Sequence, residues 1–87
     1  MAPEITVYAL STCPHCANAK QYLDERDIAY DCVYVDRLYV EERNDTMAIV
    51  RRLNPALSFP TIVIGDKVLA GFRREELEDA LKEYLDI

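Results

Sequence analysis

Cys13-Pro14-His15-Cys16 sets two thiols three positions apart. On a helix that spacing puts both side chains on one face, where the sulfurs can close a small ring or separate without moving the backbone. A β-branched and aromatic run ends just before the motif and good helix formers follow it, and a lone C-x-x-C at a strand-to-helix junction reads as a redox pattern. Cys13, at the helix start, would face unpaired backbone amides and the positive end of the helix dipole, both of which favour a thiolate. It is the expected attacking sulfur. Cys16, one turn further in, is expected to attack a mixed disulfide on Cys13 and release the reduced partner. Pro14 removes an amide donor and stiffens the first turn, and His15, when protonated, adds positive charge beside the thiolate, so both residues would tune Cys13.

Two other chemistries fit a bare cysteine pair: a buried structural pair, or half of a zinc site. Zinc takes four ligands, and the chain offers Cys13, Cys16, Cys32 and its only histidine, His15. His15 adjoins the motif cysteines in sequence, which is poor geometry for joining them on one metal. Cys32 is expected to act as a small buried hydrophobe.

The elements that must position the motif follow from periodicity. Ile5 to Leu10 alternates Ile5, Val7 and Ala9 against Thr6, Tyr8 and Leu10, a strand that stops at Ser11-Thr12. Pro14 suits a first helical turn, Ala19, Tyr22 and Leu23 share a stripe, and the helix is expected to end near Asp27. Tyr30 to Val35 reads as a second strand, at a sheet edge because its start is polar, and parallel to the first through a right-handed crossover. Met47, Val50 and Leu53 recur at helical spacing from about Glu42, and Asn54-Pro55 ends that helix. Thr61 to Ile64, the turn Gly65-Asp66 and Lys67 to Ala70 make a hairpin. Leu77, Ala80, Leu81, Tyr84 and Leu85 stripe a last helix with Glu75 and Glu76 in its first turn, and Glu78 can pair with Lys82. The order βαβαββα predicts an α/β fold, a four-stranded mixed sheet covered by three helices.

A chain of 87 residues with 51% hydrophobic content is long enough for one small core, so a single domain over 1-87 is expected. Sixteen acids against ten bases leave a net charge of −6, the wrong sign for phosphate backbones, and nucleic acid is not an expected partner. No apolar run approaches the ~20 residues that cross a bilayer, and the opening stretch does not look like a secretory signal. Three cysteines is an odd number, which suits a reducing cytosol better than a disulfide scaffold, so a cytoplasmic location is expected, and separately a monomer.

C-P-x-C after the first strand, Ser58-Phe59-Pro60-Thr61 before the third and a glycine ending the fourth resemble a glutaredoxin, within the thioredoxin superfamily, over essentially the whole chain. The resemblance implies thiol-disulfide oxidoreductase activity on protein disulfides or glutathione mixed disulfides, with Cys13 and Cys16 catalytic and no bound cofactor. It also implies a cis peptide at Phe59-Pro60, and substrate contacts from Thr12, Phe59, Pro60, Thr61, Gly71, Phe72, Arg73 and Arg74.

Three departures bear on the reductant. Many glutathione-using members carry lysine three residues before the first cysteine, where this chain has Leu10, and acids after the fourth strand, where it has Ala70-Gly71-Phe72-Arg73-Arg74. That last stretch resembles the Ser-Gly-Phe-Arg segment of small glutaredoxin-like redoxins that serve ribonucleotide reductase and draw electrons from thioredoxin reductase. Arg73 and Arg74 could still meet the carboxylates of glutathione. Pro14-His15 replaces the usual Pro-Tyr and is shared with DsbA-type oxidases, so a reduction potential shifted upward is expected. The donor is therefore glutathione or a thioredoxin-reductase-like protein.

Two further readings stay open from the same residues. One is an iron-sulfur or zinc carrier using Cys13. The other is a redox-switched module that docks on a reductase through Phe59, Phe72 and Arg73. Phe59 and Phe72 fit partner contact and core packing equally, while Tyr8 and Tyr22 are expected to face the core. Asn44-Asp45-Thr46 is a chance glycosylation match, and Arg51-Arg52 a solvated helix face.

Overall fold

Alternation sorts the first strand into two faces. In β1 (Ile5–Ala9) the side chains of Ile5, Val7 and Ala9 are buried, whereas Thr6 and Tyr8 turn to the opposite face and are half-buried. Tyr8 is thus not part of the core where it was expected, because the period of two sends it away from Val7. The computed structural model describes residues 4–85, with side chains through Lys82, so the expected core positions Tyr84 and Leu85 lie outside the described side chains.

Along the chain follow α1 (Pro14–Glu25), β2 (Asp31–Tyr34), a 3-10 turn (Val35–Arg37), α2 (Val40–Leu53), β3 (Thr61–Ile64), β4 (Lys67–Ala70) and α3 (Arg74–Leu85). The sheet order is β2-β1-β3-β4, with β1 parallel to β2 and antiparallel to β3, and β3 antiparallel to β4. The four-stranded mixed sheet and the edge position of β2 agree with the alternation and the polar start of that strand.

Register puts Ile5 opposite Ile64 and Val7 opposite Ile62, so their side chains form one apolar layer. Ala19, Tyr22 and Leu23 of α1 and Leu77, Ala80 and Leu81 of α3 close over it, all buried. Each large aliphatic side chain so enclosed contributes roughly 1.5–3 kcal/mol of transfer free energy. The opposite face carries Thr61 and meets the end of α2, where Asn54 bonds to Thr61. Val50 is the buried residue of α2, and Leu53, expected beside it, is 36% exposed.

Several ends differ from the periodic reading by one or two residues. β1 stops at Ala9, since the Leu10 carbonyl accepts from the Cys13 amide and starts the turn into α1. α1 stops at Glu25, because Asp27 takes φ +54° and the Ile28 amide returns to the Leu23 carbonyl. Val35 leaves β2 for the 3-10 turn, and α2 begins two residues before Glu42, at the exposed Val40. Glu41 and Glu42 in its first turn and Arg51 and Arg52 in its last complement its dipole. Glu78, expected to pair with Lys82, pairs with Arg74 at 3.4 Å.

Candidate active site

Cys13 is the N-cap of α1, with extended backbone at φ −92° and ψ 115°, and Pro14 fills the first helical turn, where a missing N–H costs nothing. The Cys13 sulfur takes the place usually held by a serine or aspartate oxygen: it accepts the Cys16 amide at 3.3 Å. Cys13 is half-buried, Cys16 is 1% exposed, and both thiols are free, as is that of Cys32. Burial, then the hydrogen bond with Cys13, push the Cys16 thiol up to about 12 from its ordinary 9.0. One sulfur is reachable and the other is held as a thiol.

The segment before β3 faces Cys13 from the far side. Phe59-Pro60 is cis, and the Phe59 carbonyl accepts from the Cys13 thiol at 3.8 Å. Pro60 is buried, and its carbonyl accepts the Gly71 amide at 2.7 Å. Gly71 adopts φ +85°, a conformation that favours glycine, and nothing lies within 4 Å of where a Cβ would stand. The end of β4 is thereby clamped to the proline turn, with open space above it.

That space is a cleft of about 300 Å³ lined by His15, Ser58, Phe59, Gly71, Phe72 and Arg73. Phe59 and Phe72 line it while also packing against the core, so both of their expected roles are compatible. Phe72 rests on Tyr22 with ring centroids 6.1 Å apart. Thr12 is exposed in the turn before the motif. Arg74 lines a separate recess with Asn18, Gln21 and Phe72. Thr61 differs from the expected substrate contact: it is fully buried, and its hydroxyl donates to the Ser58 carbonyl at 2.8 Å.

Two further residues, neither of them in the motif, tie down the loops around it. Asp36 accepts from both the amide and the hydroxyl of Ser11, tying the turn before Cys13 to the 3-10 turn, and those bonds hold its carboxyl below the usual range. Asn54 grips the loop before Pro60 from behind. Its only trace in the sequence is an asparagine at a helix end followed by Ser58 and Thr61. Among the described residues no three His, Cys, Asp or Glu side chains converge in a way that could hold a metal ion. No helix among them is long and apolar enough to cross a membrane.

A mixed sheet with a helix-capping cysteine, a second cysteine one turn inside and a cis-proline turn against them defines a thiol-disulfide oxidoreductase of thioredoxin-like fold. The family model described as Glutaredoxin matches residues 5–69. Glutaredoxin 1 of Rickettsia bellii is 33% identical over 82 residues, which cover 91% of this chain and 78% of that protein. A glutaredoxin from Methanosarcina mazei Go1 superposes with a TM-score of 0.85 at 39% identity, covering 91% of this chain and 78% of that one. Methanoredoxin of Methanosarcina acetivorans gives 0.87 at 34% identity, with 92% and 85% covered. The chain belongs to the glutaredoxin family.

Proposed function

We propose that this protein reduces protein disulfides and mixed disulfides through a Cys13/Cys16 dithiol, and that a reductase rather than glutathione is its electron donor. The observation that carries the reading is the Cys16 amide on the sulfur of half-buried Cys13 at the start of α1, with Phe59, whose carbonyl meets that sulfur, lining an open cleft.

Cys13, as thiolate, attacks one sulfur of the substrate disulfide; a Cys13-substrate disulfide forms and the other substrate sulfur leaves as a thiolate that takes up a proton. Cys16 then loses its proton and attacks the Cys13 sulfur, forming the Cys13-Cys16 disulfide and expelling the second substrate thiolate. Two electrons pass from the protein to the substrate. Two of the influences that keep Cys16 protonated, the hydrogen bond with Cys13 and the charge on Cys13, disappear once Cys13 is bound in the mixed disulfide. Its ionisation becomes easier when resolution requires it. A thiol donor, two glutathiones or the dithiol of a reductase, returns the two electrons.

Arg73, which also pairs with Glu76 at 3.4 Å, brings a cation to the cleft in a chain of net charge −6, which suits acidic or carboxylate-bearing substrates. Leu10 and Arg73-Arg74 stand where glutathione-dependent relatives keep lysine and acids, and support a reductase as donor in the manner of the redoxins that serve ribonucleotide reductase. A cytoplasmic site of action fits three free thiols.

The test is NADPH consumption by the oxidised protein with glutathione and glutathione reductase, in parallel with a thioredoxin reductase. Coupling to thioredoxin reductase with weak glutathione coupling is expected. Efficient glutathione coupling reverses the donor assignment, and coupling to neither, with no reduction of an insulin disulfide by the dithiol form, overturns the function.

A further inference from the structure

Asn54 closes the last turn of α2: its amide donates to the Val50 carbonyl at 2.7 Å and its own carbonyl accepts from Leu57 at 2.9 Å, holding Leu57 at φ +53°. Its side chain goes on to a second task. At 4% exposure the carboxamide has little access to water and must find partners inside the protein. The Nδ2 group reaches three acceptors, the Ser58 carbonyl, the Ser58 hydroxyl and the Thr61 hydroxyl, each at 3.1 Å. Two N–H bonds serve three oxygens, so one is shared. The Thr61 hydroxyl donates back to the Ser58 carbonyl at 2.8 Å and closes a ring.

Ser58 and Thr61 flank Phe59-Pro60, and the Phe59 carbonyl is the group that accepts from the Cys13 thiol. We infer that Asn54 is a positioning residue for Cys13: by holding Ser58 and Thr61 from behind, it sets how closely the Phe59 carbonyl approaches the sulfur and so sets the balance between dithiol and disulfide. The Phe59 contact exists only while Cys13 carries a proton to donate. Losing it therefore weakens the dithiol while Cys13 is protonated and takes no such bond from the disulfide, whereas a general loss of packing lowers both forms. The inference rests on the proposed Cys13/Cys16 chemistry, but its readout needs no substrate turnover.

The experiment equilibrates the protein in glutathione and glutathione disulfide mixtures, quenches with a thiol alkylating agent and counts labelled cysteines by mass. Asn54→Ala is expected to move the equilibrium about twofold toward the disulfide, less than one ordinary hydrogen bond because a thiol is a weak donor. Thr61→Val, which removes the other corner of the ring while keeping its bulk, is expected to move it the same way, and Thr61→Ser to restore the parent value. Thermal midpoints of reduced and oxidised forms are measured alongside. A lowered midpoint with an unmoved equilibrium in both Asn54→Ala and Thr61→Val overturns the inference and leaves Asn54 a purely structural residue. If Asn54→Ala does not fold, the two Thr61 variants decide the matter. A parent protein whose Cys13 and Cys16 never form a disulfide refutes instead the proposed function.

Discussion

The Cys16 amide points at the Cys13 sulfur from 3.3 Å, one turn further along α1. The donor is backbone, so it stays in place whatever side chain stands at position 16. Cys13→Ser is expected to abolish disulfide reduction, whereas Cys16→Ser should still attack and then stall. Mass spectrometry after a single exposure to a disulfide peptide should show a covalent peptide adduct on Cys16→Ser and none on Cys13→Ser. Adducts on neither variant would remove Cys13 as the nucleophile.

The Cys16 thiol also makes stability depend on alkaline pH. Its folded value is raised to about 12 against 9.0 for the free group, so above pH 9 the unfolded chain gives up a proton that the native dithiol keeps. The stabilisation is complete below the unfolded value and lost as pH rises through the folded one. The urea midpoint of the reduced protein should therefore fall more steeply above pH 9 than that of Cys16→Ala. Equal slopes would show that the burial of Cys16 is not the cause.

Gly71 can be tested separately from its surroundings. Its φ of +85° disfavours any L side chain, yet a methyl group would meet nothing within 4 Å. Gly71→Ala should cost about 1–2 kcal/mol from the backbone alone, measured by urea denaturation. A loss well beyond that would mean that the bond to Pro60 had broken.

Two leucines separate core from surface. Leu23 is fully buried between α1 and the sheet, and Leu23→Ala should cost about 2–5 kcal/mol. Leu53 shares the helical spacing of Met47 and Val50 but is 36% exposed, and Leu53→Ala should cost less than about 1 kcal/mol. Similar losses in equilibrium unfolding would restore Leu53 to the core.

Periodicity and motif spacing were enough for the order of elements, the mixed sheet and the cysteine pair at the start of α1, because each depends on residues within a turn or two of one another. Helix and strand periods survive in any single segment, and Pro14 between a strand and a helical stripe marks the junction by itself. Tyr8 on the second face of β1 and Val40 at the start of α2 leave no local mark, since a strand with two covered faces does not show which one is the core and this helix start has no side-chain cap. What surrounds the sulfurs was decided only in three dimensions. Phe59 lies 46 positions from Cys13 and Asp36 lies 25 from Ser11, and such pairings arise from chain crossings that no local pattern records. Asn54 shows the same limit at short range. As a letter before Pro55 it ends a helix, and only when α2 ends against the loop before β3 does its buried carboxamide have Ser58 and Thr61 to hold.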